Sequence, residues 1–305
     1  MKLIFGPVLS RRFGNSLGVD LSPGAKQCNF DCIYCELSPA KVLDKQEYVV
    51  KVEDVISQLK SYINDDIDVI TLTANGEPTL YPYLDELIDK IDKIKNNSKT
   101  LILSNSSTIC DENVFNALLK LDKVKLSLDA ITPNIFKKID RASKQIDITK
   151  IVECMKNFSK QFRGELYIEI LLVKGINDKK EEIEKLNKVL LEFENITRID
   201  LSTIDRPPAY DVKPLSFENL HVISLMFDKK LPIHIASRKH ISNKSKRHLL
   251  KDEILNTLEK RPLTWEDIDL LYDKKTKESI NSLLKEGKIT IKKVSNLEFI
   301  VNSFL

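Results

Sequence analysis

Between residues 48 and 235, runs rich in Val, Ile and Leu alternate with stretches whose apolar residues recur at helical spacing. Strands of a parallel sheet are buried on both faces and read as continuous apolar runs, while the amphipathic stretches supply the covering helices. The strands predicted in this way are Leu17–Leu21, Asp68–Ala74, Thr100–Asn105, Val124–Asp129, Glu165–Val173, Arg198–Thr203 and Ile233–Ala236. The helices predicted between them are Val52–Ile63, Tyr81–Lys95, Glu112–Leu121, Ile151–Phe158, Lys180–Glu192 and Phe217–Phe227. Six or seven such βα units fit a partial or full barrel, and a doubly wound open sheet would give the same string.

From His248 onward the alternation stops. Leu249–Glu259 predicts one helix, and Thr264 caps a second that runs through Leu271 with Glu266 and Asp267 in its first turn. Lys274–Glu286 predicts a third, stopped by Gly287, before two strand-like runs, Ile289–Val294 and Leu297–Val301, joined by Ser295-Asn296. This order of helix, helix, helix and hairpin resembles the winged-helix fold, and so does the phrase SLLKEGKI, where a helix passes through glycine into the wing. Winged-helix domains bind DNA, RNA or proteins.

A chain of 305 residues suggests two domains at about 150 residues each, although a single α/β barrel could take up most of such a length. The expected division is residues 1–236, a basic linker over 237–247, and a winged-helix-like domain over 248–305. The hydrophobic fraction of 42% and charged fraction of 30% are those of a soluble protein, and 8 glycines exclude collagen-like and glycine-rich disordered readings. No run reaches about 18 uncharged apolar residues, and the N-terminal MKLIFGPVLSRRFG is too short and too broken by proline for a secretory segment. The expectation is a cytoplasmic protein with no membrane partner.

The net charge of +3 is unevenly spread. Residues 237–305 carry 15 Lys and Arg against 10 Asp and Glu, which leaves 33 against 35 for the remainder. The densest piece, Arg238 to Lys251, has six basic residues and no acidic one, an electrostatic footprint for a polyphosphate such as RNA. A solvated linker in a lysine-rich chain has the same composition.

Five cysteines in a reducing compartment argue against disulfides and for metal binding or catalysis. Cys28, Cys32 and Cys35 lie in QCNFDCIYCEL as CxxxCxxC, just beyond the first predicted strand. Thiolates this close on one loop converge on an iron-sulfur cluster, whereas structural zinc needs a fourth ligand, and no His or further Cys lies within 70 residues. Three thiolates leave one metal position open for a substrate or cofactor. Cys154, in the amphipathic IVECMKNF, and Cys110 are expected to be buried structural thiols.

CxxxCxxC with Tyr34 just before the last cysteine resembles the signature of the radical S-adenosylmethionine enzymes. The resemblance implies that Cys28, Cys32 and Cys35 bind three irons of a 4Fe-4S cluster. The methionyl amino and carboxylate groups of S-adenosylmethionine would chelate the fourth iron, with Tyr34 near the adenine. An electron from the cluster then cleaves the sulfonium to methionine and a 5′-deoxyadenosyl radical, which abstracts a hydrogen from substrate. The implied electron donor is a flavodoxin, a ferredoxin or a reductase. Asn75-Gly76-Glu77-Pro78 resembles the family's Gly-Gly-Glu segment, whose backbone groups contact the methionyl amino group. Asn stands at the first glycine and tolerates unusual backbone angles. Ser104 and Asn105 at the end of the third predicted strand, and Ser127 and Asp129 at the end of the fourth, resemble the family's contacts to the ribose and carboxylate.

Three longer phrases, FGPVLSRRFGNSLGVDLSP, EILLVKGIND and IDRPPA, are similar to the branch related to the wyosine-base (tRNA-modifying) synthases, including its iron-sulfur oxidoreductases. The resemblance spans residues 4 to 235. Wyosine synthases carry further cysteines ahead of the radical motif, and this chain has none before Cys28. The resemblance therefore implies an α/β fold with a partial (β/α)6-type barrel of the radical enzymes and a winged-helix-like tail. Arg11, Arg12, Lys174, Asn177 and Arg206 border the expected active face, where guanidinium and ammonium groups suit a phosphate-bearing substrate. The leading reading is RNA modification, or the modification of another large substrate. The alternatives are a radical enzyme acting on a protein or peptide, and a redox-sensing nucleic-acid-binding regulator without turnover.

Overall fold

The computed structural model describes residues 1–10, 12–235, 246, 248–260, 262–294 and 297–303. Arg11, the stretch 236–245 with Arg238, Lys239 and Lys244 of the basic linker, Arg247, and the Ser295-Asn296 turn lie outside the described residues.

β1 (Ile4–Ser10) and β2 (Gly14–Asp20) form an antiparallel hairpin. Six strands then follow parallel to β2, each paired with the one before it: β3 (Val69–Thr73), β4 (Lys99–Ser104), β5 (Lys123–Ser127), β6 (Glu165–Leu172), β7 (Ile196–Thr203) and β8 (Ile233–Ile235). The order runs from β1 to β8 without reversal. A doubly wound sheet reverses at a switch point, so that alternative is excluded. Right-handed crossovers between strands laid down in one direction place their helices on one face of the sheet. These helices are α1 (Val52–Lys60), α2 (Leu84–Asp92), α3 (Glu112–Leu119), α4 (Pro133–Ile139), α5 (Ile148–Gln161), α6 (Lys180–Leu190) and α7 (Phe217–Ser224). Alternate strand residues, among them Leu17, Ile70, Ile102, Val124, Ile168 and Leu201, are buried with the apolar faces of the helices in one continuous core.

Several of the intervening strand residues are polar and meet one another across the sheet. Ser16 and Thr71 hydroxyls meet at 2.8 Å across β2 and β3. Arg12, in the β1–β2 turn, reaches Glu169 of β6 at 2.9 Å and Asp200 of β7 at 2.8 Å. Lys125 of β5 joins Glu169 at 2.7 Å, and Arg198 joins Asp200 at 2.8 Å. Burial works against the Glu169 charge, but Lys125 and Arg12 outweigh it and hold the carboxyl at about 2. Arg12 thus fastens the hairpin to strands four and five places along the sheet.

Three local expectations are corrected. β1 was not expected, because Gly6-Pro7 breaks its apolar run; the strand absorbs the break as an irregularity between Phe5 and Val8. α4 is short and begins with Pro133 at its first turn, so it carries too few apolar positions to register as a period. Cys110 and Cys154 are neither free nor both buried. They form a disulfide with Cα atoms 5.4 Å apart, and Cys110 is exposed. Packing of α3 on α5, with the Phe115 and Phe158 rings 5.3 Å apart, brings together thiols 44 residues apart in sequence.

The tail contains α8 (Lys251–Lys260), β9 (Leu263–Thr264), α9 (Trp265–Leu271), α10 (Lys274–Lys285), β10 (Ile289–Val294) and β11 (Leu297–Asn302). Its three strands form an antiparallel sheet in the order β10-β11-β9. Thr264 and Asp267 cap α9 reciprocally. The apolar side chains, Leu258, Ile268, Ile280, Leu283 and Ile300 among them, form a core separate from that of the large sheet. α8 packs against β1, and Lys2 meets Glu253 at 3.5 Å.

Candidate functional site

The segment after β2 carries all three clustered cysteines across the strand ends. Gln27 and Gly76 pair as a parallel bridge: Gln27 N–H donates to Asn75 O at 2.8 Å, and Glu77 N–H donates to Gln27 O at 3.0 Å. The backbones touch so closely that a Cβ on Gly76 would lie 1.9 Å from Gln27 O, and Gly76 sits at φ +137°. The unusual backbone expected of Asn75 therefore belongs to its neighbour. Inside the loop, the buried Gln27 side chain donates to Ser22 and to Tyr48 O and accepts from Glu47 and Tyr48 N–H, tying the entry of the loop to its return.

The loop is held from the other side by the end of α4. Asp31 and Ile33 N–H donate to Asp140 and Ile139 carbonyls at 3.1 and 2.9 Å, and Ser143 N–H donates to Asn29 O at 2.9 Å. Beyond β7, Ala209 N–H donates to Cys35 O at 2.8 Å, and Arg206 joins Glu36 at 2.6 Å. The cysteine loop is thus sewn to segments that follow β3, β4, β5 and β7.

Each thiol has a distinct environment. Cys28 Sγ accepts from Phe30 N–H at 3.4 Å and from Asn105 Nδ2 at 3.6 Å. Cys32 Sγ donates to Asp140 Oδ1 at 3.4 Å. Burial, aided by the Glu77 charge, pushes the Cys28 thiol up to about 12. Burial also raises Cys32, together with Asp140, and raises Cys35 against the opposing pull of Lys26. Among the described residues, no three His, Cys, Asp or Glu groups stand at metal-ligating spacing. The donor set is nonetheless all thiol, borne on one loop with N–H groups aimed at sulfur, and fits an iron-sulfur cluster in its chemistry.

Beside the loop lies a narrow cavity, partly open to solvent, lined by Tyr34, Asn105, Ser127 and Asp129 with apolar walls from Phe30, Phe136 and Ile151. The Tyr34 hydroxyl donates to Asp129 Oδ2, and Leu171 N–H donates to Asp129 Oδ1 at 2.7 Å. Burial raises the Asp129 carboxyl above the usual carboxylate range, against the hydrogen bonds from Tyr34 and Leu171. Four sequence-predicted residues therefore share one cavity wall.

Other predicted residues turn inward. Glu77 is 1% exposed; it accepts from Thr79 N–H and hydroxyl and from Asn105 N–H at 2.7 Å, so its side chain caps the turn Pro78–Leu80 and braces the end of β4. Ser104 accepts from Ser106 N–H at 3.0 Å. Asn177 is fully buried, accepting from Val173 N–H and donating to Asp129 and Leu171 carbonyls at 2.8 Å. Arg12 and Arg206 are engaged in the ion pairs above, and Lys174 is exposed at the end of β6. Sequence reasoning missed Lys26, Asn29, Asp31, Asp140 and Tyr210. Asp31 had a signal in being a charged residue within the cysteine motif itself, and Lys26 in standing two residues before it; Asp140 and Tyr210 arrive from distant segments and had none.

Residues 23–187 match the model of the Radical SAM superfamily. A UPF0026 protein of Helicobacter pylori is 45% identical over 300 residues, 97% of this chain and 96% of its own length. A UPF0026 protein of Methanocaldococcus jannaschii is 30% identical over 95% of this chain and 92% of its own. Among solved structures, Streptococcus suis SuiB bound to precursor peptide SuiA aligns with 72% of this chain and 48% of its own at TM-score 0.56 and 16% identity, a likeness of fold alone.

Proposed function

The chain belongs to the Radical SAM superfamily and is an enzyme that uses a 4Fe-4S cluster and S-adenosylmethionine, and from that premise we propose that Cys28, Cys32 and Cys35 are its three cluster ligands. The cluster and S-adenosylmethionine supply one-electron cleavage to methionine and a 5′-deoxyadenosyl radical. The observation that carries the reading is the way one loop joins the thiols to the cavity: Gly76 fixes its backbone on one side, and Tyr34, seven residues on from Gln27, closes the cavity on the other. Tyr34, Asn105, Ser127 and Asp129 hold the polar groups of S-adenosylmethionine there, while Phe30 and Phe136 keep water from them. The backbone of Asn75, Gly76 and Pro78 forms the edge of the cradle, and buried Glu77 acts by bracing it. Family membership sets aside the regulator without turnover. No helix of the described residues is long and apolar enough to cross a membrane.

Anaerobically reconstituted protein given dithionite and S-adenosylmethionine should release 5′-deoxyadenosine slowly even without its substrate, measured by chromatography. A fully loaded, reduced sample that releases none sinks the proposal.

The substrate we propose is RNA, gripped by the tail. Sequential strand order supports a partial (β/α)6 barrel over residues 1–236, and the separate core with its β10-β11 hairpin supports a winged-helix-like adaptor over 248–305, joined by the linker 237–247. Lys274, Lys277 and Lys288 stand against Glu278, Asp269 and Glu286, and Lys275, Lys292 and Lys293 are the cations we assign to the RNA-binding face. Replacing those three lysines with Ala should flatten the logarithmic salt dependence of single-stranded RNA binding by about 2, at about 0.7 per phosphate contact. A gel-shift titration at several salt concentrations reads this. Binding that ignores both salt and the substitutions points instead to a polypeptide substrate.

A further inference from the structure

The end of α4 and the turn after it lie along the cysteine loop, joined to it through backbone. Ile139 and Asp140 carbonyls accept from Ile33 and Asp31 N–H at 2.9 and 3.1 Å, and Ser143 N–H donates to Asn29 O at 2.9 Å. Next to each of these three residues stands an exposed cation: Lys138 beside Ile139, Arg141 beside Asp140, and Lys144 beside Ser143. Lys137 adds a fourth in the last turn of the helix. Among the described residues no carboxylate lies within ion-pair distance of Lys137, Lys138 or Lys144, while Arg141 faces Asp31 at 3.7 Å and stacks over the Tyr210 ring at 4.7 Å. By contrast, Lys90 of α2 and Lys120 at the end of α3 are each held by two carboxylates. The acidic groups beside this surface are buried: Asp140 accepts from the Cys32 thiol, and Asp31 is taken by Lys26 at 2.9 Å and by the Tyr210 hydroxyl. Over residues 133–146 solvent therefore meets four cations and no exposed carboxylate. Asp147, which follows, caps α5 by accepting from Thr149 N–H at 2.9 Å.

Resting on the reading of Cys28, Cys32 and Cys35 as cluster ligands, we propose that this cationic surface docks an acidic one-electron carrier protein of the flavodoxin kind. The reduced carrier gives up one electron and the oxidised cluster gains it, with no bond made or broken. Transfer between two proteins demands that the redox centres come close, and these cations stand on the segment bonded to the loop that bears the ligands. A carrier must also leave after each transfer, which suits a small contact steered by charge in place of a large apolar one. A phosphate backbone needs only exposed cations, whereas an electron carrier needs them against the cysteine loop, and that is where they stand.

The test follows cluster reduction in full-length, anaerobically reconstituted protein by stopped-flow absorbance. Reduced flavodoxin is the donor in one arm, and photoreduced deazaflavin, a small reductant that needs no docking surface, is the donor in the other, with iron measured in every sample. Lys137→Glu, Lys138→Glu and Lys144→Glu combined should keep the iron and the deazaflavin rate, and should lower the flavodoxin rate at low salt by about tenfold or more. The deficit should shrink as salt rises, because exposed charges are screened. Arg141 stays in place in this variant because it also touches Asp31. A triple variant with full iron and the wild-type flavodoxin rate overturns the proposal, as does a wild type that takes electrons from deazaflavin and none from flavodoxin. Equal slowing with both donors makes the surface structural and overturns it too. A triple variant that loses salt-dependent RNA binding and keeps its flavodoxin rate assigns the surface to RNA and overturns the docking reading. Absence of iron from the wild type itself would instead overturn the ligand reading on which this rests.

Discussion

Replacement of Cys28, Cys32 or Cys35 by Ala is expected to take the iron content of reconstituted protein from about four per chain to none. On the ligand set proposed here each of these thiols is one of three ligands, and no neighbour can take its place: the remaining cysteines are bonded to each other, across α3 and α5. Burial raises all three thiols, so cluster assembly must expel their protons as well as bind iron. Cys110→Ser and Cys154→Ser should keep their iron. They should instead lose about 4 kcal/mol of stability in oxidised protein, the loop-closure value for a link across 44 residues. Iron and acid-labile sulfide analysis separates the two groups, and loss of iron from either disulfide variant overturns the ligand set.

What could be read from the sequence follows from how far each signal reaches along the chain. β3 to β7 fall within about two residues of the expected runs, because burial between helices demands a continuous apolar strand and that demand is local. The cysteine loop stood out by its CxxxCxxC spacing, and the residues at the ends of β4 and β5 by their resemblance to the family's contacts rather than by any apolar period. Roles that depend on distant partners were not. Arg12 looks like a free cation in SRRFG, and only the folded sheet brings Glu169 and Asp200 to it. Asn177 follows a strand end as a binding residue would, yet its amide is consumed by backbone groups of residues 129, 171 and 173. Glu77 was expected to act at a strand end, and does stand there, but its carboxylate points into the protein.

Gly76 offers the sharpest single-residue test of how the loop is placed. In Gly76→Ala the new Cβ would overlap Gln27 O and C, at 1.9 and 2.4 Å, and both belong to backbone that cannot swing aside as a side chain could. The positive φ of +137° adds a second penalty. Backbone strain of about 1–3 kcal/mol and overpacking of a similar size act on the same peptide, and the relief available is to break the bridge between Gln27 and Gly76. Gly24→Ala supplies the control. Gly24 also has a positive φ, +88°, but nothing lies within 4 Å of its missing Cβ, so only the conformational cost of about 1 kcal/mol remains. Gly76→Ala should therefore melt several degrees below Gly24→Ala, bind a small fraction of the wild-type iron, and form 5′-deoxyadenosine at a correspondingly reduced rate. Thermal melting and iron content measured on the two variants side by side decide the matter. If Gly76→Ala retains full iron and melts with Gly24→Ala, the close crossing of the two backbones is not what places the cysteine loop.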